Sequence, residues 1–203
     1  MEISKLTFAI DSSPYGLSYN DWTQKWWKWL LSIPKNKNPA SDTSGVNSDI
    51  NQLDLRVKFL CQTIEGVQSV PTRFTTLKCS QSILMPIINW ISISPEDGSS
   101  DAELLKLAKQ KMDVIKELKV SINGVIFTRE LEKLRSRSQC FTINLPKENI
   151  VNMDYGVHRA ASDGYWLFLK PPEHDLTIKT FGSCSRGETI IGINYDIRIF
   201  PMI

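Results

Sequence analysis

Thr189–Phe200 constrains the fold more than any other stretch of the chain. Ile191, Ile193, Tyr195, Ile197 and Ile199 fall on one parity, and Asn194, Asp196 and Arg198 on the other. Side chains alternate between the two faces of a strand, so a period of two held over this length means one buried face and one wet face. Upstream, Tyr165–Leu169 is apolar at both parities, the pattern of a strand covered on both sides. Leu176–Phe181 alternates again. Together the three predict an antiparallel meander over 163–200, broken by Pro171-Pro172 and by a loop at Gly182–Glu188. Such a meander needs a second layer over its apolar face.

The rest of the chain supplies further strands at Ile3–Ile10, Leu55–Gln62, Arg73–Lys78, Ile83–Ile93 and Cys140–Leu145. Pro86 inside the fourth marks a bulge or an edge position. Asn123-Gly124 joins Val120–Ile122 to Val125–Phe127 as a hairpin, because both turn residues tolerate positive φ. Two helices interrupt the strands. Ser18 with Asp21 opens one over about 19–32, stopped by Pro34, and the capping box of Ser100 with Glu103 opens another over about 101–119. Helices do not alternate regularly with strands, which disfavours a parallel doubly wound sheet. The expected fold is mainly β: a two-sheet antiparallel β-sandwich of jelly-roll type with two inserted α-helices, a single domain over 1–203.

Charge and motif content exclude several functions. A formal net charge of +2 over 203 residues, with no basic patch interleaved with aromatics, gives no basis for nucleic-acid binding. The longest apolar run, Ile83–Ile93, is too short to span a bilayer, and Met1–Lys5 has no secretory pattern, so a cytoplasmic protein without a membrane partner is expected. Cys61, Cys79, Cys140 and Cys184 show no metal-ligand spacing and are expected to be thiols. No phosphate-binding glycine loop and no nucleophile elbow occurs; Cys184 lies between strands with one residue too many for an elbow. No metal site and no cofactor is evident. Glu96-Asp97 and the pair Glu173 and Asp175 read as solvated turn residues.

Candidate binding residues come from the first helix and the loop after it. Trp22, Trp26, Trp29, Leu30 and Ile33 share one stripe of a helical wheel, while Trp27 and Leu31 point away from it. Those two are expected to be exposed, or covered only by the Lys35–Asp54 loop or by another subunit. That loop carries Asn38, Asp42 and Asn47 without the spacing of an EF-hand. The ligand- or partner-binding set is therefore Trp27, Leu31, Asn38, Asp42 and Asn47. A second long loop, Pro146–Ser162, brings Asp154 and His158 up to Asp163, and these three are the candidate catalytic residues of a hydrolase or lyase if they converge beside Asp42 or Asn47.

Several short segments carry a resemblance: Trp26-Trp27-Lys28-Trp29, Asn38-Pro39, Met85-Pro86-Ile87-Ile88-Asn89, Phe141–Pro146 and Ser162-Asp163-Gly164-Tyr165-Trp166. Together they resemble an uncharacterised family of archaeal and bacterial proteins with a Trp-rich N-terminal helix, and the resemblance implies no activity. The leading expectation is a non-catalytic module binding a small molecule or a protein partner, with carbohydrate as a ligand class because aromatic faces and amide side chains suit sugars. A loop-site enzyme and a structural homo-oligomer are the alternatives.

Overall fold

The structure, a computed structural model, describes residues 2–63, 70–184 and 190–200. Among these the elements run α1 (Tyr19–Ser32), β1 (Val57–Phe59), β2 (Thr72–Lys78), β3 (Ser82–Ile93), α2 (Asp101–Asp113), β4 (Ile115–Ile122), β5 (Val125–Phe127), β6 (Arg135–Arg137), β7 (Phe141–Leu145), β8 (Gly156–Leu169), β9 (Leu176–Cys184) and β10 (Ile190–Phe200). No helix among them is long and apolar enough to cross a membrane.

The strands form two mixed sheets. In the first, β1 pairs with β3 and β3 with β8, whose far edge is shared by β6 and β7; in the second the order is β2-β10-β9-β4-β5. Each sheet has one parallel pair, β1 with β3 and β2 with β10. The expectation of wholly antiparallel sheets, and with it the all-antiparallel jelly-roll path, is therefore corrected. Alternation reports which face is buried and is blind to strand direction, so parallel pairing left no mark in the pattern.

Three layers result. Trp166 and Phe168 of β8 face α1, whereas Leu167 and Leu169 face the second sheet and share a core with Ile178, Ile193, Tyr195 and Ile197. Both faces of β8 are covered, as its two-sided apolar run requires. α2 lies on the same side of the first sheet as the second sheet does, where Lys111 sits over the Trp90 ring and Asp113 shares Arg135 with Asp163.

Local signals account for several boundaries. Ser18 and Asp21 close a reciprocal capping box on α1, and Ile33 before Pro34 takes an extended conformation. Asn123 and Gly124 both have positive φ, at 48° and 81°, and join β4 to β5. A register shift between Pro86 and Ile88 marks the bulge in β3, which is an interior strand and not an edge.

Other boundaries differ from expectation. Ile3–Ile10 is not a strand: a 3-10 turn spans Ile3–Lys5, and only Thr7 bridges to Leu169. The meander is split, because the Pro171-Pro172 break carries the chain from β8 in the first sheet to β9 in the second. β8 starts at Gly156, where the sequence predicted loop, because β7 pairs with Gly156–Ala160. α2 stops at Asp113, and Ile115–Lys119 joins β4 through pairing with β9. Gly182–Cys184 continues β9 rather than opening a loop; the remainder of that expected loop, 185–188, and position 189, the expected start of the last strand, lie outside the described residues. Of the strand expected over Leu55–Gln62 only Val57–Phe59 forms, and Leu55, expected inside, is 82% exposed.

For Trp27 and Leu31 the exposed alternative is corrected, whereas cover by the Lys35–Asp54 loop is met in part, through Ala40 and Ile50. Both are buried, as are Trp22, Trp26 and Trp29. The wheel assumes one covering surface. α1 instead lies between the first sheet and the loop segments that carry Ala40, Ile50 and Val151, so its off-stripe residues are covered within the chain and are not a subunit contact.

Candidate functional site

A cavity of about 420 Å³ separates part of α1 from the outer face of the first sheet. That volume falls within the range of small-molecule sites. Trp26, Trp27 and Leu30 form the helix side, and Pro86, Asn89, Ile91 and Ile93 of β3 form the sheet side. Ala40, Val151 and Met153 line it from the loops, and Gln62, Thr63, Trp90, Glu96, Asp97 and Ile191 complete the lining.

The bulge in β3 sets which side chains face this space. Beyond it, Asn89, Ile91 and Ile93 stand opposite Gly164, Ser162 and Ala160 of β8, on the side covered by α1. Gly164 makes room for Asn89: a Cβ built at position 164 would fall 2.6 Å from the Asn89 Cβ and 3.0 Å from Trp166 Nε1. No side chain larger than hydrogen fits there without displacing Asn89.

The polar groups of this wall are unusual. Trp27 Nε1 and Asn89 Nδ2, on residues that line the cavity, are buried and have no hydrogen-bond partner; Trp166 Nε1, beside position 164 but outside the lining, is in the same state. The other three indoles of α1 all do: Trp22, Trp26 and Trp29 donate to the carbonyls of Pro14, Leu60 and Ile50, each at 2.8 Å. Proteins pair nearly all their buried donors, and leaving one unpaired costs about 1–3 kcal/mol. Two unpaired donors on residues lining one cavity are thus a feature that folding alone does not favour. Asp97, half-buried in the lining, is held by its own turn, with Ile93 N donating to its Oδ2 at 2.9 Å and Asp97 N donating to the Ile93 carbonyl at 2.9 Å.

Of the predicted binding residues, only Trp27 lines this cavity. Leu31 belongs to the aromatic core around α1. Asn38 is buried at the end of α1, donating through Nδ2 to the carbonyls of Leu30 and Ile33 at 2.7 and 3.0 Å and accepting from Ala40 N at 2.9 Å. Asp42 organises its own turn, accepting from Ser44 N, from the Ser44 hydroxyl and from Asn47 N. Burial alone would raise the Asp42 pKa, but these bonds and the nearby Arg73 charge outweigh it and hold the carboxyl below its ordinary value. Asn47 enters that turn through its backbone.

The structure does not bring Asp154, His158 and Asp163 together. His158 and Asp163 are five positions apart on β8, so they point to opposite faces. The His158 ring spans two backbone carbonyls, Nδ1 at 2.9 Å from Ser94 O and Nε2 at 2.8 Å from Asp154 O, while the Asp154 side chain is exposed. Asp163 is 1% exposed and is held by Arg135, with Arg137 Nε at 3.2 Å. Among the described residues no group of His, Cys, Asp or Glu is placed to hold a metal ion.

Sequence reasoning missed Asn89, Gly164 and Trp166. One signal was present: an amide inside Ile83–Ile93, a run apolar on both faces. Its meaning depends on the register that sets it against Gly164. No protein-family model, curated protein or solved structure matches the chain.

Proposed function

We propose that this protein is a binding module that takes a small, largely apolar molecule carrying a hydrogen-bond acceptor into the cavity between α1 and the first sheet. One observation carries the reading: Trp27 Nε1 and Asn89 Nδ2, both on residues that line the cavity, are buried without acceptors. The terminal torsion of an asparagine is soft, so a small rotation of the Asn89 amide turns a donor toward an incoming carbonyl. Aromatic and aliphatic side chains make up most of the wall. A sugar would bring many hydroxyls to a surface with few polar partners, and each left unpaired would lose affinity. An aromatic ketone fits that wall better than a carbohydrate does. No observation favours the enzyme reading.

The test uses 4-tert-butylacetophenone and methyl glucoside as probes, with calorimetry and ligand-observed NMR. The ketone is expected to bind and the glycoside not to. Asn89→Leu removes an unpaired amide at similar volume, so it should raise the unliganded protein's stability by about 1 kcal/mol while weakening ketone binding two- to tenfold. Trp27→Phe should weaken binding in the same sense. Absence of ketone binding, or an Asn89→Leu protein that binds as the parent does, overturns the reading.

A further inference from the structure

We propose that the cavity selects a ligand with a cationic group, a quaternary or protonated amine, at the end facing solvent. This rests on the reading of the cavity as a binding site and names its ligand class. Of the lining residues Glu96 is exposed and Asp97 half-buried, whereas Trp26, Trp27 and Leu30 are buried, so the two carboxylates stand where the cavity meets solvent. Neither carboxylate forms an ion pair among the described residues, whereas Asp101, Asp113 and Asp163 each meet an arginine. The Asp97 turn bonds fix one of the two carboxylates in place at the mouth.

The aromatic wall receives the other end of the ligand. Trp26 and Trp27 pack edge to face, at 86° with ring centroids 4.9 Å apart, and both are buried, so they meet the ligand's body and not its charge. Trp90 is more exposed, and the Lys111 ammonium sits 4.5 Å from its ring centroid. Independently of the carboxylates, Trp27 is only 6% exposed and its Nε1 lacks an acceptor, which calls for an oxygen on the ligand's inner end. The ligand class is thus a compact aromatic or aliphatic body with a carbonyl-type acceptor inside and a cation outside.

A pair of isosteres isolates the charge: 4-acetyl-N,N,N-trimethylanilinium and 4-tert-butylacetophenone have the same shape and acceptor and differ only in charge. At low salt the cation is expected to bind about tenfold more tightly, with the preference shrinking as salt rises. Glu96→Gln, at an exposed position, and Glu96→Gln combined with Asp97→Asn should bring the ratio of the two affinities progressively toward one. Equal affinities for the two probes overturn the charge inference and leave the cavity reading standing. A preference that survives the double substitution overturns the role of these carboxylates. Failure of both probes to bind overturns the inference together with the reading beneath it.

Discussion

Asp163 shows how a residue that looks catalytic in a sequence can be held by packing. Its carboxylate is buried, Arg135 approaches it through Nε at 3.0 Å and Nη2 at 2.6 Å, and Asp113 takes a further bond from Arg135 at 2.8 Å. Asp163 and then Asp113 raise the Arg135 pKa despite its partial burial. Removing one member of a buried pair leaves the other charge uncompensated, so Asp163→Ala should cost about 3–5 kcal/mol, read as a lowered urea midpoint; a loss under about 1 kcal/mol would contradict this account. Asp42 carries a pH prediction. Its folded pKa lies below the ordinary carboxylate value, so it adds stability above the unfolded pKa of about 3.9 that is lost as pH falls through the lower, folded value. Asp54, lowered chiefly by its bond to Arg56, acts in the same direction. Unfolding free energy should therefore drop as pH falls below about 4, and Asp42→Asn should make that drop shallower. An unchanged acid slope in the variant would remove Asp42 from the explanation.

Whole elements were legible where their ends are written in side-chain chemistry. Ser18, Asp21 and Pro34 delimit α1, and Ser18→Ala should lower stability by about 1 kcal/mol in thermal unfolding through loss of the capping bond to Asp21 N. Asn123-Gly124 likewise announces its hairpin. The upstream half of β8 was hidden because His158 and Arg159 look like loop residues until β7 pairs with them. The boundary between α2 and β4 was hidden because Leu118 continues the helical stripe, while pairing with β9 claims it for a strand. Trp27 stood out on the wheel, but its burial depends on loops folding over α1, which a wheel cannot contain. At Gly182 the sheets themselves come close: a Cβ there would lie 2.9 Å from the Ile88 Cβ. Gly182→Val should accordingly overpack the space between β9 and β3 and cost about 1–3 kcal/mol, measured by denaturant unfolding, whereas a neutral result would mean the sheets separate easily.

The molecule as a whole is held by the core between its sheets, with Ile193 fully buried at its centre among residues of both. Ile193→Asp places an unpaired charge there and should cost upwards of about 4 kcal/mol, leaving little soluble protein; a soluble variant with the parent's melting temperature would refute the assignment. The parallel pairing of β2 with β10 has a further consequence, one of timing. Among the described residues β2 has no strand neighbour other than β10, and their register sets Thr72 beside Asn194. A nascent chain leaves the ribosome from its N-terminus, so β2 waits without a sheet partner while more than half of the protein is still being made. Contacts between segments so distant in sequence form slowly and leave strand edges exposed in the interval. The second sheet is therefore finished in a late step, after residues 190–200 have emerged, and during synthesis the protein is most prone to aggregate along the edge of β2.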